Sequence, residues 1–74
     1  MDIEGLRKRI LELTQNPISS ESICETLMTE EGLCFHTCRN IINSLVQPGY
    51  LILDGADRSK LIQNPRKPYQ ISNE

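Results

Sequence analysis

The sequence has no apolar run near 18 residues, so no stretch of it is expected to cross a bilayer as a helix. It opens without a signal-peptide pattern: Met1-Asp2-Ile3-Glu4-Gly5-Leu6 is acidic first and amphipathic after. An even set of cysteines is also missing. Cys24, Cys34 and Cys38 are three, which does not fit a secreted disulfide framework. Reduced thiols in a reducing compartment fit better. These absences predict a cytosolic protein, or a nuclear one in a host that has a nucleus, with no membrane partner. The chain further lacks paired carboxylates in an apolar setting and a glycine-rich phosphate loop. Its one histidine, His36, stands alone, and its serines sit at caps and turns. No enzyme and no cofactor are expected from such a set.

Excess positive charge is absent too. The net charge of −2 argues against a strong non-specific binder of nucleic acid. The distribution is uneven, however. Residues 1–31 carry Arg7, Lys8 and Arg9 against seven carboxylates and net −4. Residues 32–74 carry Arg39, Arg58, Lys60, Arg66 and Lys67 against Asp54, Asp57 and Glu74 and net +2. Such asymmetry can orient a domain on a polyanion. No repeat, linker or low-complexity block divides the 74 residues, so a single domain over 1–74 is expected. With 38% apolar residues it can build one modest core, of marginal stability without a partner.

What is present is organised around Leu33–Tyr50. At about 100° per residue, Cys34, Phe35, Cys38, Ile41, Ile42, Leu45 and Val46 share one face of a helix over about 34–47. His36, Asn40, Asn43 and Gln47 share the other, with Arg39 at their flank. That second face has almost no carboxylates and none of the Glu–Lys pairs of an ordinary solvated helix. Asn and Arg are the side chains that pair bidentately with adenine and guanine edges. Pro48-Gly49 ends the helix, and the apolar run Tyr50-Leu51-Ile52-Leu53 then reads as a strand.

Two helices precede it. Ile3, Leu6, Ile10 and Leu13 form a stripe at spacings of three and four, which predicts a first helix over about 3–15, capped by Asp2 and ended by Asn16-Pro17. Ile18 reads as a stub of strand. Ser19 or Ser20 caps a second helix over about 20–29, with Ile23, Cys24 and Leu27 as its apolar edge and Met28 as a candidate extension of it. Gly32 stands where a left-handed residue is needed. After the third helix come a turn at Gly55–Ser59, a short apolar pair Leu61-Ile62 that reads as a brief strand or a tucked loop, and a rigid basic loop Asn64–Pro68. Tyr69-Gln70-Ile71 alternates as an edge strand should, and Ser72–Glu74 is expected to fray.

The order helix, stub strand, helix, turn, helix, strand, wing, strand resembles the winged helix-turn-helix superfamily of DNA-binding regulators. The resemblance is carried by Ile18-Ser19-Ser20-Glu21, by Gly32-Leu33, and by Thr37, Cys38, Asn40, Ile42, Leu45, Gly49, Tyr50 and Leu51 at their spacing, with Arg66–Ile71 similar to a returning second wing strand. It covers roughly residues 3–72. It implies an α+β, mainly α domain of three helices and a small antiparallel β wing over about 50–72, with the third helix in the major groove of double-stranded DNA. The chain departs from the pattern in its acidic charge and in having no long helix for dimerisation. Dimerisation through the first helix or the wing, action as a monomer, and membership of a larger assembly all stay open.

The candidate DNA-binding residues are therefore His36, Thr37, Arg39, Asn40, Asn43 and Gln47 on the third helix, and Arg58, Lys60, Arg66 and Lys67 as phosphate contacts from the wing. The bland alternative is a solvated helix face and a solvated hairpin loop. No metal site is expected: His36 points about 160° away from Cys38 on the same helix, so the thiols and the imidazole do not converge. All three cysteines read as small core residues, with a thiol switch through Cys34 and Cys38 a distant alternative. Tyr50, Leu51, Leu53, Leu61 and Ile62 read either as core closure or as an exposed apolar edge for a protein partner. The expected function is sequence-specific transcriptional regulation; the rival is a winged-helix protein-interaction module with no DNA binding of its own.

Overall fold

The apolar stripes predicted on the three helices meet in one core. A computed structural model describes residues 2–70 and shows a small α+β domain. The elements run α1 (Ile3–Leu13), β1 (Ile18–Ser19), α2 (Ser20–Glu31), α3 (Phe35–Val46), β2 (Leu51–Leu53) and β3 (Lys60–Gln63). Leu6 and Ile10 of α1, Ile23, Cys24 and Leu27 of α2, and Cys38, Ile41, Ile42 and Leu45 of α3 are buried together. Leu51 and Leu61 close the core from the sheet. Leu13 packs at its edge, half-buried.

Local chemistry sets the helix ends. Ser19 caps α2, its Oγ accepting the Ser22 N–H at 3.2 Å. Gly32 ends α2 with φ 67°, the left-handed conformation that costs glycine little. At the end of α3 the Gly49 N–H donates to the Val46 carbonyl and the Tyr50 N–H to the Leu45 carbonyl, both at 3.0 Å. With Gly49 at φ 96° these bonds form a Schellman motif, which turns the chain straight into β2. Helix α1 stops at Leu13, before Asn16-Pro17. The next residue, Thr14, is buried, and its hydroxyl donates back to the Ile10 and Leu11 carbonyls. Asp2 occupies the N-cap position of α1, but its side chain makes no capping hydrogen bond.

The three strands form an antiparallel sheet in the order β1-β3-β2. Leu61 pairs with Ile18 on one side and Leu53 on the other, so the stub at Ile18 is tied to the hairpin. The hairpin closes on β3, at Lys60–Gln63, and its turn is Asp54–Ser59. Tyr69 and Gln70, expected in an edge strand, are not in one. Pro65 and Pro68 lack the N–H groups a ladder needs, and β3 already has neighbours on both sides. Tyr69 instead packs edge-on against Tyr50, with ring centroids 4.9 Å apart, and its hydroxyl donates to the Glu4 carboxylate on α1. Ile71, the rest of that expected strand, and the expected fraying at Ser72–Glu74 lie outside the described residues.

Two residues expected on the buried face of α3 are exposed. Cys34 is the N-cap, with extended backbone, so its side chain does not follow the helical period. Phe35 is the first residue of the helix and lies beyond the edge of the core. The apolar run of β2 also divides. Leu51 is buried, whereas Ile52 and Leu53 are exposed. Leu61 is buried, Ile62 half-buried and Tyr50 half-buried.

Candidate nucleic-acid interface

Helix α3 is held from one side. Cys38, Ile41, Ile42 and Leu45 anchor it, and the spacing of those four fixes which residues turn outward. His36, Arg39, Asn40, Asn43 and Gln47 are all exposed. Among the described residues, none of their side chains makes a hydrogen bond or ion pair within the domain. The face therefore offers a guanidinium, an imidazole and three primary amides, with no carboxylate of its own. Thr37 stands apart from them. It is half-buried, and its Oγ1 lies 3.1 Å from the Cys34 Sγ.

The four basic residues assigned to the wing do not form one patch. Arg58 lies in the hairpin turn ahead of β3, and Arg66 lies in the loop after it. A strand of this length, about 13 Å, separates the two ends. At the turn, Lys60 Nζ is 3.8 Å from the Asp57 carboxylate. That carboxylate also accepts the Ser59 hydroxyl and N–H at 2.6 and 3.1 Å. The Ser59 bonds, with Lys60 adding to them, hold the Asp57 carboxyl below the usual carboxylate range, so it stays charged and offsets its neighbours. In the other loop, Lys67 folds back. Its ammonium donates to the Pro48 carbonyl and sits 4.9 Å from the centre of the Tyr50 ring. A cation there meets the carbonyl-rich end of α3. Lys67 is thus engaged in closing α3. Arg58 and Arg66 are exposed and make no ion pair among the described residues.

The thiols also part company. Cys24 and Cys38 are buried, and burial pushes both thiols up. Cys34 is exposed, and hydrogen bonds from the Thr37 hydroxyl and backbone lower its thiol. Among the described residues no three His, Cys, Asp or Glu side chains converge as metal ligands.

Sequence reasoning missed the border between α2 and α3. Arg39 and Asn43 share a groove there with Glu21 and Glu25 of α2. The signal was present: Glu21 and Glu25 lie one turn apart, on the same side as Cys24 and Met28. Comparison with known proteins finds no matching family model, curated protein or solved structure.

Proposed function

We propose that the protein is a small winged-helix regulator that binds double-stranded DNA through the outer face of α3. The observation that supports this reading is that face: five exposed directional side chains, unpartnered within the domain and free of carboxylates. Donor-rich amides and a guanidinium match the edges of adenine and guanine in the major groove. Arg58 and Arg66, at opposite ends of β3, serve as phosphate contacts on this reading. Glu21 and Glu25 repel phosphate at the α2 border, so the backbone grip does not come from that side.

The test is a duplex titration at two salt concentrations. Arg39→Ala or Asn40→Ala is expected to cost about 1–3 kcal/mol on a selected site and to relax preference at one base position. Arg66→Ala is expected to weaken all sequences alike and to flatten the salt dependence by about one charge. Lys67→Ala should behave differently: it lowers the melting temperature, by loss of about 1 kcal/mol of helix-end and ring contact, and leaves the salt slope nearly unchanged. No duplex binding by the folded wild type at low salt would replace this reading with the protein-interaction rival.

A further inference from the structure

The groove between α2 and α3 encloses about 500 Å³. Its floor is the buried pair Cys24 and Ile42. Its apolar walls are Met28, 38% exposed, and Phe35, 49% exposed. Both are large apolar side chains left in water beside a cavity rather than packed into the core. Glu21 and Glu25 stand on the α2 side, one turn apart, where two like charges weaken a helix. Among the described residues neither carboxylate has a cation within ion-pair distance. Among the described residues Arg39 is the one cation lining the groove. Two carboxylates against one guanidinium leave it negative.

We propose that this groove docks a short, basic amphipathic segment of a partner protein. An apolar side chain of the segment seats between Met28 and Phe35 over Cys24 and Ile42, and a neighbouring lysine or arginine pairs with Glu21 and Glu25. Apolar anchors spaced along a groove between two helices match helix-in-groove recognition. The charge selects the class of partner. Phosphates are repelled, and a basic segment relieves the like-charge pair on α2. A second copy of this chain fits less well, because three of its basic side chains are already engaged. Arg7 and Arg9 pair with Glu4, Glu12 and Glu30, and Lys67 is folded over Tyr50.

The test uses the full chain, isotope-labelled for NMR and free of DNA, so its result is independent of whether α3 reads bases. The probes are two short designed helical peptides with the same leucine and phenylalanine face, one with arginine flanks and one with glutamate flanks. The expected result is that the arginine peptide shifts resonances confined to Ser20–Met28 and Phe35–Asn43. The double variant Glu21→Lys, Glu25→Lys, both exposed positions, should lose about tenfold in affinity for the arginine peptide and gain affinity for the glutamate peptide. Phe35→Ser, at an exposed position, should weaken both. Equal binding of the two peptides, unchanged preference in the double variant, shifts centred elsewhere, or no shifts at millimolar peptide would each overturn the proposal.

Discussion

Cys34 and Cys38 are four positions apart and chemically opposite. Cys38 is closed in the core, and its thiol is pushed up by burial. Cys34, at the exposed N-cap of α3, is lowered by Thr37. A thiolate reacts and a thiol does not, so one cysteine per native chain should alkylate quickly, at a pH below the ordinary thiol range. Mass mapping should find the label on Cys34, with Cys24 and Cys38 reacting only after denaturation. Thr37→Val should move the midpoint of the rate profile to higher pH. A second fast thiol, or a label on Cys38, would refute the assignment. Helical spacing alone put Cys34 and Phe35 on the buried face. It failed because an N-cap residue is not yet helical and the first turn of α3 overhangs the core. Spacing did mark His36, Arg39, Asn40, Asn43 and Gln47 as outward, because the anchors between them are held by the core. It had no means of showing that Lys67 folds onto the end of α3, a contact reaching back to Pro48 and Tyr50.

Between elements, one ion pair has a testable pH signature. The Arg9 guanidinium on α1 meets the Glu30 carboxylate on α2 through two bonds, at 2.8 and 2.9 Å. The hydrogen bond from Arg9 lowers the Glu30 carboxyl from its ordinary value. A depressed carboxyl contributes stability above its unfolded value, near 4.3, and loses it as pH falls through the lower folded value. Glu30→Gln should therefore melt below wild type at neutral pH, by a small margin because the pair is exposed. The two melting curves should converge as pH falls from neutral to well below the ordinary carboxylate range. Thermal melts across that range would expose an error in the pairing if the gap did not close. The helices were legible because each carries a stripe at helical spacing, and α2 and α3 also carry recognisable stops, Gly32 and Pro48-Gly49. The sheet was legible only in part. The stub at Ile18 and the strand after Tyr50 follow from local signals. β3 follows only in part: the apolar pair Leu61-Ile62 left strand and loop open, and Lys60–Gln63, which lacks clean alternation, is fixed by Leu61 pairing with both Ile18 and Leu53. Tyr69-Gln70 had the alternation, but it follows Pro65 and Pro68 and its tyrosine is taken up by Tyr50 and Glu4.

Across the whole molecule, α3 serves two surfaces that overlap. Arg39 and Asn43 belong both to the outer face proposed to read bases and to the groove proposed to hold a basic segment. One guanidinium cannot pair with a guanine edge while covered by a docked helix. If both proposals hold, a partner segment and a duplex exclude one another, and the acidic half of the chain regulates the basic half through occupancy of α3. The arginine-flanked peptide should then displace a fluorescent duplex from the wild type. It should not displace the duplex from the Glu21→Lys, Glu25→Lys variant at the same concentration. Salt separates this from mere charge competition. Counterion release gives duplex binding a steep dependence on salt, whereas a peptide held by apolar anchors and two ion pairs is only partly screened. Raising the salt should therefore favour the peptide over the duplex. A ternary complex of chain, peptide and duplex seen by sedimentation would show that the two surfaces are independent and remove the regulatory link, whatever each binds alone.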